Sequence, residues 1–337
     1  MDVYHNSNIW GKGKTGTKLT ALPVSHSFLW EEQEILIPAV YVGKAGAVLD
    51  ICARIPVEDM AAFLKKWDYE RRMSLRTPEE FEMIDADNPG SRELAVEICL
   101  DGVPLVCRMS SSLRWYPENI IQLGSAGPAG EDGFENNKSA VEWMEAYGCD
   151  RGCCWYFERL SYNWDNEPIL SPQRISLAFR ANLISVTAGH FSTDLSCNGE
   201  MVKTAHPITG QEYTLTLHRC EQIRNSFAEI GAKGVVYPEY CQVLSYSIEP
   251  EIDSSLFDIR DCAESDHPEM GDAQDARRRP GGSDGPTAVF MAGRNVSPDK
   301  RMAVSSLHFE PVPAVQWRMV FRIKPKDDME ISFPVKA

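Results

Sequence analysis

The chain has 337 residues, 43% of them hydrophobic and 25% charged, a balance that supports a sizeable core and excludes wholesale disorder. Its formal net charge of −15 makes nucleic acid an unfavourable partner, because a phosphate backbone is repelled on average. No stretch reaches the length of a membrane span, and Met1 to Lys18 holds no apolar core of a secretion signal, so the expected compartment is the cytoplasm.

The first 34 residues read as polar and Gly-rich. Strands are expected at Ile35 to Val42 and Ala47 to Ile55, on either side of Gly43-Lys44-Ala45-Gly46. A helix follows: Pro56 suits its first turn, Glu58 and Asp59 its positive end, and Met60, Phe63, Leu64 and Trp67 fall on one face. Thr77-Pro78-Glu79-Glu80 has the spacing of a capping box and opens a second, shorter helix. Glu93 to Leu100 and Val103 to Leu113 read as strands flanking Asp101-Gly102, a dipeptide that suits a tight hairpin.

Gly124 to Asn137, rich in Gly, Ala and Asn, is the expected domain boundary. A short helix from Ser139 ends at Gly148. Beyond it strands dominate: Trp155 to Tyr162, Arg174 to Ala188 as one long or two short strands, Tyr213 to Cys220, and Cys241 to Glu249. Between the last two, Ile223, Phe227 and Ile230 mark a helix face stopped by Gly231. Asp261 to Pro286 lacks apolar periodicity and reads as a mobile loop. The strands after it, at Ala288 to Phe290, Met302 to Phe309, Val315 to Ile323 and Met329 to Phe333, are expected to rejoin the second domain. The expected fold is mainly β, with an α+β domain over 1–137 and a larger antiparallel β-sandwich-like domain over 138–337.

Catalytic motifs are sparse. Gly11 to Lys18 resembles a phosphate loop, but Thr17 precedes Lys18 where Gly-Lys-Thr is needed, so a flexible basic arm is the better reading. Cys149, Cys153 and Cys154 form the densest thiol cluster without a second pair at zinc spacing. Ten cysteines spread along a chain without a leader read as reduced, core-filling thiols. His190, His206, His218 and Cys220 are the candidate ligands for a zinc-type metal. His218 and Cys220, two apart on a strand, are expected to share a face. The competing reading leaves His218 with Thr214 and Thr216 on a solvated sheet face. Acidic runs at Glu79 to Asp101 and Glu249 to Asp275 lack a calcium-loop pattern and serve solubility. Asn295-Val296-Ser297 is a nominal glycosylation sequon followed by an unfavourable Pro298.

The stretch from Trp155 to Asp165 is the richest in aromatics. Alternation places Trp155, Phe157 and Arg159 on one face, and Tyr156, Glu158 and Leu160 on the other. Trp155, Phe157, Tyr162 and Trp164 are therefore the candidate binding residues, with a sandwich core as the competing reading. The function expected is that of a non-catalytic binding or assembly protein using a sheet face or edge and this aromatic segment. Its partner is expected to be a protein, self or other, with carbohydrate as a second class. No cofactor is expected; a metal-dependent hydrolase with the His/Cys set is the alternative.

Overall fold

The computed structural model describes the chain except residues 6, 11–15, 68–76, 91–93, 125–137, 166, 226–234, 271–299 and 336–337. Several sequence expectations therefore lie outside the described residues: the loop at 11–15, the helix face of Phe227 and Ile230, the 271–286 stretch, the Ala288–Phe290 strand and the Asn295 sequon. What is described is mainly β, in antiparallel sheets. It divides into two compact units, one of residues 1–74, 87–182 and 324–337, the other of 75–86 and 183–323.

Unit 1 holds a five-stranded sheet. Its strands are β1 (Thr20–Trp30), β2 (Gln33–Gly43), β3 (Gly46–Ile55), β6 (Val106–Trp115) and β7 (Cys154–Asn163), in the order β1-β2-β3-β7-β6. Because β7 sits between β3 and β6, the units are not divided at 137: residues 138–182 complete the sheet begun before them. A four-stranded sheet, β18-β8-β4-β5, joins Met329–Pro334, Arg174–Ala181, Leu94–Leu100 and Val103–Pro104. The two sheets meet through Phe28 against Phe179 and through the Tyr162 hydroxyl, which donates to the Val96 carbonyl at 2.7 Å. The expected long strand after Asp101-Gly102 is broken at Leu105, so β5 stays in one sheet and β6 crosses to the other. The hairpin itself forms, with positive φ at both Asp101 and Gly102, and the Asp101 carboxylate accepts the backbone N–H groups of Gln173 and Arg174.

Helix α4 (Lys138–Tyr147) covers the other face of the five-stranded sheet, laying Ala140, Trp143 and Met144 over Cys52, Leu113, Trp155 and Phe157. Gly148 ends it at positive φ, and the Cys149 N–H turns back to the Met144 carbonyl at 3.1 Å. With a helix on one face and a sheet on the other, β3 is buried except at Arg54 and β7 except at Asn163. The helix expected from Pro56 is α1 (Val57–Trp67), with Met60, Phe63 and Leu64 buried. A short helix, α3 (Glu118–Gly124), and strand β1 have no counterpart in the sequence reading. In β1 the register shift between Pro23 and His26 breaks the alternation that would have revealed it.

Unit 2 is a second sandwich. One sheet runs β10-β11-β13-β16, from Glu200–Ala205, Glu212–Arg224, Tyr240–Glu249 and Arg301–Val304. The other runs β14-β17-β9, from Phe257–Asp261, Ala314–Ile323 and Ile184–Asp194. A two-stranded pair joins β12 (Val235–Val236) to β15 (Glu269–Met270). Leu215, Leu217, Leu244 and Tyr246 from the first sheet interdigitate with Phe257, Trp317, Met319 and Phe321 from the second. Arg174 to Ala188 is thus two strands, β8 and β9, in different sheets. Ile223 lies on β11 and not on a helix. Strands β16 and β17 rejoin this unit as expected, but β18 pairs with β8 in unit 1. Helix α2 (Pro78–Asp87) belongs to this unit through Ala86. Its capping box forms as the sequence implied, Glu80 N donating to Thr77 Oγ1 at 3.2 Å and Thr77 N to Glu80 Oε2 at 2.9 Å.

Candidate functional site

The aromatic segment alternates as expected, but both of its faces are covered. Trp155 and Phe157 lie under α4, Tyr162 lies against the four-stranded sheet, and all three are buried. Trp164 is half-buried and donates its indole N–H to the Gly43 carbonyl at 2.9 Å. In this fold the first three rings contribute to the core and offer no ring face to a partner.

The His/Cys set does not converge. His190, exposed on β9, pairs with Glu79 of α2 at 2.9 Å. His206 accepts the N–H groups of Ile208 and Thr209 on Nδ1, closing the β10–β11 turn. His218 and Cys220 lie on opposite faces of β11, contrary to the period-two expectation. A bulge between Leu217 and Arg219 makes His218 the extra residue, so it meets Ser247 outside while Cys220 joins Leu215 and Leu217 inside. Burial pushes the Cys220 thiol up, and it donates to Gln242 Oε1 at 3.1 Å. Among the described residues no three His, Cys, Asp or Glu side chains are grouped to hold a metal ion.

Two arrangements that sequence spacing did not reveal carry the strongest local chemistry. In unit 1, Asp50 of β3 and Arg159 of β7 are register partners beneath α4. Arg159 donates Nε to Oδ1 at 2.7 Å and Nη2 to Oδ2 at 2.6 Å, a bidentate pair with both residues buried. The Tyr147 hydroxyl donates to the same carboxylate and lies 2.8 Å from the Tyr41 hydroxyl. The guanidinium sits 4.9 Å from the centre of the Trp143 ring. A cavity of about 320 Å³, lined by Met1, Tyr4, Asn8, Glu142 and Trp143, opens beside it. Burial, then the nearby Asp50 charge, pushes both tyrosine hydroxyls up. Burial lowers the Arg159 pKa, but the hydrogen bonds and charge of Asp50 outweigh it and the net shift is upward. Hydroxyls and guanidinium thus keep their protons through neutrality, and the cluster clamps α4 to the sheet.

In unit 2 the feature is an edge. Strand β10 pairs with β11 on one side and carries no strand on the other among the described residues. Met201 on it is 72% exposed, with Ile208 (64%) in the following turn and Leu195 (50%) in the preceding one. Lys203 is the charged residue on the outward face of this strand. The sheet face beyond it carries Thr214, Thr216 and His218, as in the solvated-face reading. An edge strand needs no motif in the chain, only the absence of a neighbour, which is why the sequence did not reveal it.

No protein-family model, no curated protein and no solved structure matches the chain. Among the described residues no helix is long and apolar enough to cross a membrane.

Proposed function

We propose that this is a non-catalytic binding or assembly protein that receives an extended segment of another polypeptide along β10. The observation that carries the reading is a strand with no neighbour on one side among the described residues, whose large apolar side chain Met201 is 72% exposed. Edge strands present a row of unpaired N–H and C=O groups, and proteins usually keep apolar residues off them unless another chain pairs there. Main-chain hydrogen bonds give such a site its affinity, and pockets for alternate side chains give specificity. The burial of Trp155, Phe157 and Tyr162 directs the reading from the aromatic segment to the edge.

The test is photo-crosslinking from a benzoylphenylalanine at position 201, with a second probe at exposed Leu170 of unit 1 as the control. The captured polypeptide is then purified and its affinity measured for Met201→Glu. Enriched capture from position 201 and a loss of about tenfold or more in affinity, roughly 1.4 kcal/mol, are expected. Equal capture from both positions, or unchanged affinity for a folded variant, would refute the edge.

A further inference from the structure

Across the sheet β14-β17-β9, Arg260, Arg318 and His190 are register partners. Their neighbours Ile259, Trp317, Met319 and Phe191 point into the sandwich, so the three form a row on the opposite, outward face. Helix α2 lies over this row and meets it with two carboxylates one turn apart. Glu82 Oε2 accepts from Arg318 Nη1 at 2.6 Å, and its Oε1 accepts from Arg318 Nη2 at 3.0 Å and from Arg260 Nη1 at 2.6 Å. Glu79 Oε2 lies 2.9 Å from His190 Nε2.

Two features separate this row from an ordinary surface network. Its donors exceed its acceptors: Arg318 is 2% exposed, yet its Nε is buried without a hydrogen-bond partner among the described residues. One singly charged carboxylate, Glu82, joins the two guanidinium groups, while Asp258 reaches Arg260 Nε from the side at 3.1 Å. The cover is also held by charge more than by apolar contact. Ile84 is the buried side chain of α2, whereas Glu79, Glu82 and Arg260 are half-buried. Elements held by half-wet ion pairs and little apolar burial open at low cost.

We propose that the row of Arg260, Arg318 and His190 is a phosphate-binding site, in which a phosphate group takes the place of the Glu82 carboxylate and frees α2 from the sheet. A phosphate carries close to two negative charges at neutral pH and three acceptor oxygens. It matches two guanidinium charges where Glu82 offers one, and it has an oxygen to spare for the unpartnered donor of Arg318. Guanidinium forks suit phosphate because their planar N–H groups meet two oxygens at once. Arg260 and Arg318 repel each other without an anion between them, so the release of α2 and the arrival of phosphate are coupled. The group is recognised by its phosphoryl oxygens, whether it is free or esterified to a polypeptide.

The experiment follows hydrogen exchange of the full-length protein at neutral pH in sodium chloride and in sodium phosphate of equal ionic strength, which separates screening from occupancy. Amides of α2 are expected to exchange at least about threefold faster in phosphate, while those of β17 stay slow. Phosphate otherwise tightens folded proteins, so faster exchange confined to α2 reports the site. A third arm uses N-acetyl-phosphoserine amide. Release by inorganic phosphate supports the site with the free ion as its ligand, and release by the ester alone supports it with a phosphorylated segment. Glu82→Gln removes the tethered competitor and should bind inorganic phosphate about tenfold more tightly than the parent in calorimetric titration. Arg260→Gln should abolish the phosphate-dependent release. The proposal is overturned if α2 exchanges equally in chloride and in both phosphate arms, if Glu82→Gln gains no affinity, or if Arg260→Gln responds as the parent does. Exchange in the unaltered protein decides the matter even where a variant fails to fold.

Discussion

Each unit ties a helix to a sheet with arginine and an acid, and the two ties are built for different surroundings. In unit 1, Asp50 and Arg159 are both buried, and Tyr147 of α4 reaches the same carboxylate. In unit 2, Arg318 and Arg260 are register partners on neighbouring strands, and Glu82 of α2 bridges them at 2.6 Å each. Like charges opposite one another on a sheet repel, so Glu82 offsets a conflict that β14 and β17 would otherwise carry. Its side chain is 26% exposed, so water softens both the attraction and the cost of losing it. The comparison teaches that the same pairing is obligatory where it is dry and adjustable where it is half wet.

The largest effect is expected where the tie is dry. Asp50→Ala leaves a buried guanidinium without its counter-charge and should cost about 3–5 kcal/mol in urea denaturation. Replacing both partners, Asp50→Leu with Arg159→Met, should recover most of that loss. A double variant as unstable as the single one would mean that the pair is more than a balanced burial.

Next comes the sandwich core of unit 2, where the bulge sets which residues face inward. Leu217→Ala should cost about 2–5 kcal/mol. His218→Ala, one residue on, should stay within about 0.5 kcal/mol. Equal losses at 217 and 218 would place both side chains inside and contradict the bulge.

The half-wet tie should give a smaller effect with a clear pH signature. Burial raises the Glu82 carboxyl, but hydrogen bonds and charge from Arg318 and Arg260 outweigh it, and the net shift is downward. A carboxyl lowered in the folded state stabilises above its unfolded pKa of roughly 4.3, and that stability drains away as pH falls through the lower folded value. Glu82→Gln should therefore lose about 1–3 kcal/mol at neutral pH and show a flatter acid limb than the parent. An unchanged acid limb would remove Glu82 from the explanation. The smallest effect on stability belongs to Met201→Glu, within about 0.5 kcal/mol by thermal melting, with binding lost. A large melting shift there would mean that the side chain is covered.

The capping box at Thr77 to Glu80, the Asp101-Gly102 turn and the α4 stop at Gly148 were legible because each depends on a few neighbouring residues and their hydrogen bonds. Strand periodicity was legible for the same local reason, and Trp155 and Phe157, two apart on β7, do share the side covered by α4. Where backbone irregularity intervened, legibility failed. One inserted residue at His218 reversed the faces of everything after it on β11, and the break at Leu105 sent one expected strand to two sheets.

By itself the sequence determined the β-rich class, the helix starts, the tight turn and which side chains share a face along a regular strand. Only the tertiary structure decided that both faces of β7 are dry, that β18 returns to unit 1, and that β10 has no second neighbour among the described residues. It also brought Asp50 to Arg159, 109 residues further along the chain. The reason is physical: hydrogen bonds within a turn act between neighbours, whereas burial and the meeting of distant side chains follow from which elements come to lie together.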